Sequence, residues 1–385
     1  ITETDLVRQR WLSNNYYGQI ASLQYKHRKD DITIGGGWTF YDGKHFGTIP
    51  WIKTGAVPPN YRYYDYPASK SDLNLYTKWQ HGFAANWLLF ADIQYRHVNH
   101  DMQGFEGNAA LMVNRNFDFL NPKAGITYYK NAVQASFSYA MGNKEPNRDD
   151  FQTGKGTQPR AETLHDLELN FEKKSGEFQW GTTLYYMYYV NQLVLTGQIN
   201  DVGSYTRSNI PHSYRLGIEL QAAAFMSSWF NFSGNISLSR NKLASYTEYI
   251  DDYDTGGQQA VGHSNTTISF SPAVVGSLTL NFIPVKQLEL SLISKYVGKQ
   301  YMDNSEQENR MLKAFFVQHA RASWKLNHFI FHEWNFMLQV NNLFNHLYEP
   351  NGYTYSYVYN KILTTENGYY PMAGRNFMAG VNIRL

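Results

Sequence analysis

Residues 374–385 read GRNFMAGVNIRL, and the alternation within them decides the fold. Phe377, Ala379, Val381, Ile383 and Leu385 fall on one side of an extended chain. Asn376, Met378, Gly380, Asn382 and Arg384 fall on the other. Successive side chains on a strand point to opposite faces, so this is a strand with one apolar and one largely polar side. Whether the apolar side meets protein or lipid depends on the rest of the chain.

The same period recurs throughout. Trp87, Leu89, Ala91, Ile93 and Tyr95 oppose Asp92, Gln94 and Arg96; Trp334, Phe336, Leu338 and Val340 oppose Asn335, Gln339 and Asn341. Such segments predict strands near 14–27, 31–41, 71–81, 86–98, 119–129, 132–141, 163–173, 178–190, 213–225, 229–240, 270–282, 287–297, 314–326 and 333–344, besides the last. That makes about 15 strands of roughly 10 to 13 residues, the length of tilted membrane crossings. Short turns such as Arg28-Lys29-Asp30, Lys130-Asn131 and Pro284-Val285-Lys286 alternate with long polar stretches near 42–70, 99–118, 142–162, 197–212, 241–269, 298–313 and 345–373. Tight turns therefore gather at one end of a sheet and long loops at the other, as in a transmembrane barrel. A soluble sandwich has shorter strands and less regular loops, and a propeller shows a repeat per blade, which this chain lacks.

The expected fold is thus all-β, a transmembrane antiparallel β-barrel. Apolar faces meet outer-membrane lipid, with Trp79, Trp87, Trp180, Trp324 and Trp334 suited to the interface. Polar faces line a lumen, for which Asp92, Arg96, Glu168, Arg215, Glu219 and Arg321 are candidates. A charge facing lipid at mid-membrane costs about 2–4 kcal/mol, which explains why strand charges share one parity.

Composition agrees. The 385 residues include 31 Tyr, 23 Phe and 9 Trp, an aromatic excess that interfacial girdles and aromatic loops account for. Mean hydropathy is −0.51, and no apolar run reaches the ~18 residues a spanning helix needs. A net charge of +2 gives no reason to expect nucleic acid. The absence of cysteine excludes disulfides, thiol catalysis and thiolate metal sites. Ile1-Thr2-Glu3-Thr4-Asp5 has no signal-peptide character, so either the protein is cytosolic or this is a mature or partial chain.

Catalytic patterns are lacking. His332-Glu333 has no second histidine at zinc-helix spacing, and there is no Gly-x-Ser-x-Gly elbow, so no enzyme is expected. Gly35-Gly36-Gly37 lies within a strand, where glycine allows curvature or close approach. Asp252-x-Asp254-x-Gly256 offers oxygen ligands for a structural calcium; a solvated acidic loop is the competing reading, because the twelve-residue ligand pattern is missing. No other cofactor is expected. Trp51, Tyr61, Tyr63 and Tyr64, with Tyr353, Tyr355 and Tyr357, are candidates to stack on a ligand, and His263 joins them. Packing between loops is the alternative for each tyrosine. In YTYSYVY (353–359) the tyrosines share one parity, predicting a hairpin with a single aromatic face.

FLNPKAGITYY (119–129), ASFSYAMGNKEPNRDDF (135–151), QPRAETLHDLELNFE (158–172) and LQVNNLFNHLYEPNGY (338–353), together with YYPMAGRNFMAGVNIRL (369–385), resemble the barrel of TonB-dependent outer-membrane receptors. Arg160-Ala161-Glu162-Thr163 stands where those receptors have Pro-Glu-Thr, and Leu385 where they usually end in Phe. GGGWTFYDGKHFGTIPW (35–51) and the tyrosine-rich hairpin look like Bacteroidetes members. The resemblance covers residues 1–385 and implies the C-terminal portion of a barrel of about 22 strands, with the N-terminal plug and first strands outside this chain.

It further implies active import of a scarce nutrient (iron-siderophore, haem or cobalamin-like) across the outer membrane. TonB–ExbB–ExbD would act through the plug, and a surface lipoprotein is a conceivable partner. Loops of roughly 15–30 residues argue mildly against barrels that handle glycans beneath a lipoprotein lid. A passive porin, or a glycan or oligopeptide importer, is the alternative.

Overall fold

The computed structural model describes all residues except 1–2, 56, 106–107, 154–157, 200–204, 330 and 385. The strands are β1 (Leu6–His27), β2 (Asp30–Ile52), β3 (Tyr61–Ala84), β4 (Trp87–Phe105), β5 (Asn108–Lys130), β6 (Val133–Lys144) and β7 (Glu162–Ser175). They continue with β8 (Phe178–Ile199), β9 (Tyr205–Ser227), β10 (Phe230–Leu243), β11 (Ser245–Asp252), β12 (Gly257–Ser264), β13 (Val274–Val285) and β14 (Leu288–Val297). The last are β15 (Gln300–Tyr301), β16 (Met311–Leu312), β17 (Phe315–Phe329), β18 (Phe331–Asn341), β19 (Asn351–Tyr359), β20 (Ile362–Tyr370) and β21 (Asn376–Arg384). A short helix, α1 (Arg148–Thr153), lies between β6 and β7.

Fifteen strands form one sheet in the order β1 to β10, β13, β14, β17, β18 and β21. The alternation predicts this count, and each predicted segment falls on one of these strands. The last strand pairs with β18, Val340 opposite Phe377 and Asn335 opposite Asn382. Leu385 itself lies outside the described residues. Strand 270–282 starts late, at Val274, because Phe270 is left-handed at φ 50° and Pro272 cannot donate to a ladder.

The long connections differ from expectation. Stretches 42–70, 99–118 and 197–212 are mostly strand, so β2, β3, β8 and β9 reach 22 to 24 residues. Stretches 241–269, 298–313 and 345–373 contain the hairpins β11–β12, β15–β16 and β19–β20. Loops of 15–30 irregular residues are therefore not what these segments form. Backbone donors and acceptors of a long segment are best satisfied by pairing, and polar composition does not prevent it.

Apolar side chains on one face of these strands are uncovered. Ile93 is 48% exposed, Leu338 53% and Phe377 68%. Gly36 answers a close approach, since a Cβ there would lie 2.6 Å from the Asn74 carbonyl oxygen.

The chain divides into two compact units. The first comprises Ile1–Gly125 and Ala140–Thr163, the second Ile126–Tyr139 and Leu164–Leu385. In the first, Ala68, Val98, Met102, Phe105, Val113, Phe117 and Phe119 pack with Phe151 of α1. In the second, Val194, Ile210, Leu243 and Ile268 pack with Tyr246 of β11.

Candidate binding surfaces

Within the first unit a charged network sits beside the apolar cluster. Arg96 donates from Nη1 to Glu145 Oε2 at 2.7 Å and from Nε to Asp72 Oδ2 at 2.9 Å. Lys70 donates to Glu145 Oε1 at 2.6 Å. Burial alone would raise the Glu145 carboxyl; hydrogen bonds from Arg96 and Lys70 outweigh it and hold the group at about 2. Arg96, a lumen candidate, is thus committed to two carboxylates, while Asp92 lies across from Lys78 at 3.9 Å.

His100 is 3% exposed, rests against Phe117 and Phe151, and neither ring nitrogen has a hydrogen-bond partner. Burial first, then the charge of Lys70, lowers it to about 4. His45 falls to about 4 through burial and Arg148. It lies in β2 rather than in a loop.

Trp51 and Tyr61 are exposed near the end of the β2–β3 hairpin. Tyr63 and Tyr64 come together edge to face at 4.9 Å, and Tyr64 stacks on Tyr66 at 5.3 Å. These two candidates therefore pack on neighbouring rings.

In the second unit, β12, β11, β19 and β20 form a separate four-stranded sheet. Thr354, Ser356 and Val358 are buried on one face, and Tyr353, Tyr355, Tyr357 and Tyr359 occupy the other. This is the hairpin with one aromatic face that the period predicts. Tyr355 and Tyr357 both donate to Glu366, at 2.6 and 2.9 Å, which pushes the Tyr355 hydroxyl up to about 12.

Asp252 accepts the backbone N–H groups of Asp254 and Thr255. Asp254 accepts those of Asn360 and Lys361, at 2.8 and 2.6 Å. Both carboxylates thus hold turns, and among the described residues no group of three ligating side chains could take a metal ion.

His263 contacts Glu248 Oε2 at 3.0 Å and stacks on Tyr246. Glu248 in turn receives Arg310, 2% exposed, which also donates to Asp303 at 2.8 Å. His263 is therefore part of a hydrogen-bonded network around buried Arg310 that joins β11 and β12 to the segment between β15 and β16. Sequence offers no signal for it, because Arg310 and Glu248 are 62 positions apart.

Glu168, Arg215 and Glu219 converge, as the common polar face requires. With Thr183, Tyr185, Met187, Asn241, Phe270 and Ser271 they line a recess of about 290 Å³. Arg215 donates from Nη1 to Ser271 Oγ at 2.9 Å. Gly217 lets the Tyr185 ring lie flat over the strand, since a Cβ would meet its hydroxyl at 2.5 Å. Arg321 lies elsewhere on β17, 3.8 Å from Glu289.

Solved structures similar to this chain include receptors and a transporter. The ferric-catecholate import receptor Fiu of E. coli K12 superposes with a TM-score of 0.69 at 14% identity, covering 97% of this chain and 55% of that one. The siderophore receptor PiuA from Acinetobacter baumannii gives 0.71 at 14%, covering 97% and 56%. The copper transporter OprC gives 0.75 at 11%, covering 97% and 57%. This chain thus spans just over half the length of each. No curated protein matches it in sequence. The family of TonB-dependent receptor-like β-barrels matches residues 2–343, and the chain belongs to that family.

Proposed function

We propose that this chain supplies barrel wall to an outer-membrane receptor that binds a scarce nutrient and imports it with TonB-coupled energy. The observation that carries the reading is a set of exposed apolar side chains on strands whose other face is polar, with the long connections between those strands folded into hairpins. Connections folded into hairpins suit capture of a ligand better than free diffusion through an open pore. Likeness to receptors for ferric catecholate and siderophores and to a copper transporter supports a metal complex as cargo; haem or a cobalamin-like cofactor fits the same aromatic hairpins. Tyr355, Tyr357 and Tyr353 are the proposed contacts outside the membrane. TonB–ExbB–ExbD and the nutrient are the proposed partners.

The test is uptake by cells expressing the full receptor, with TonB present or deleted. Import of one of these nutrients only when TonB is present supports the reading. Equal flux without TonB replaces it with a passive channel.

A further inference from the structure

The recess on the polar face of β7–β10 carries an unbalanced set of charges. Glu168 and Glu219 both line it, and among the described residues neither has an ion-pair or hydrogen-bond partner. Arg215 is the recess's one cation, and it is already engaged by Ser271. The recess therefore presents two unpaired carboxylates against one partly satisfied guanidinium.

Its remaining walls are suited to a carbon stem. Phe270, Pro272, Val275 and Met187 provide apolar surface, and Tyr185 lies flat over Gly217 between Arg215 and Glu219. The volume, about 290 Å³, is at the lower end for ligand sites, so it holds one end of a ligand.

We infer that this recess is a subsite for the cationic end of a ligand, an ammonium or guanidinium group on an aliphatic stem. Glu168 and Glu219 accept its N–H donors, and the stem lies along Phe270 and Val275. A multiply anionic chelate meets two carboxylates here and is disfavoured, so the site selects among cargoes by charge. The inference rests on the receptor reading only for its biological use.

Calorimetry on the purified full-length receptor tests it with matched probes, 1,6-diaminohexane and hexanedioate. The diamine binds and the diacid does not. Glu168→Gln with Glu219→Gln weakens the diamine by about tenfold, the sum of two partly exposed ion pairs. Arg215→Gln moves affinity the other way, which separates a charge effect from damage to the fold. Absence of diamine binding, equal binding of the diacid, or indifference to the glutamate changes overturns the subsite. TonB-dependent uptake by the same receptor is scored separately, so a subsite without uptake and uptake without a subsite are told apart.

Discussion

Arg96 and Glu145 are joined by two hydrogen bonds, Nη1 to Oε2 at 2.7 Å and Nη2 to Oε1 at 2.9 Å. The pair fastens the segment after β6 against β4, and Lys70 adds a third bond from β3. Bidentate geometry of this kind is strong where water is excluded, and Glu145 is only 7% exposed.

Removing the carboxylate leaves Lys70 without its ion-pair partner and Arg96 with Asp72 alone. Glu145→Ala should lower stability by about 3 kcal/mol, the lower end for breaking a buried pair, read as a shift in denaturant unfolding of the receptor in detergent. Because the folded carboxyl is held at about 2 against an ordinary 4.5, its contribution is complete above 4.5 and is lost as pH falls towards 2. The variant should lack that acid-dependent part. An unchanged acid profile would show that the network carries no stability.

His100 makes the opposite case, a polar ring with nothing to bond. His100→Phe should raise stability by about 1 kcal/mol, because it removes a buried unsatisfied group and keeps the ring packed between Phe117 and Phe151. The histidine is held neutral down to about 4, while an unfolded chain takes up its proton near 6.5. Wild-type stability therefore declines as pH falls from 6.5 towards 4, and this component should vanish in the variant. A destabilised variant would indicate a bond to His100 that solvent supplies.

The strand count and the shared face of Glu168, Arg215 and Glu219 were legible because side chains alternate strictly along a strand with one apolar side. Above the lipid both faces are wet or packed on loops, and the constraint lapses. Residues 42–70 accordingly read as loop, although β2 and β3 continue through most of them. The 353–359 hairpin is the exception, since Thr354, Ser356 and Val358 are buried and restore a period of two. Networks such as Arg310–Glu248 join distant segments, and a single sequence carries no trace of such pairs.

Lipid exposure is tested by paired substitutions on β9. Leu220 is 40% exposed on the apolar face, and Gln221 lies on the polar face near Glu172. Leu220→Arg should cost about 2–4 kcal/mol or block membrane assembly, whereas Gln221→Arg should be tolerated. Heat-modifiable mobility of the folded barrel on gels reports both. Equal tolerance would remove lipid from the outward face.

Asp254 links two hairpins, because its carboxylate receives the N–H groups of Asn360 and Lys361 from the β19–β20 turn. Both turn residues have positive φ, 51° and 61°, a mirror-image turn that matches strand twist but is costly for a lysine. An anchored turn tolerates that cost better than a free one. Asp254→Ala should therefore speed hydrogen exchange at Asn360 and Lys361 by about tenfold, while amides of β21 are unaffected. Repeating the exchange with added calcium tests the metal reading on the same amides: a bound ion coordinated by Asp252 and Asp254 would compete for these carboxylates and alter exchange in the wild type only. Identical exchange with and without calcium leaves the two aspartates as turn anchors.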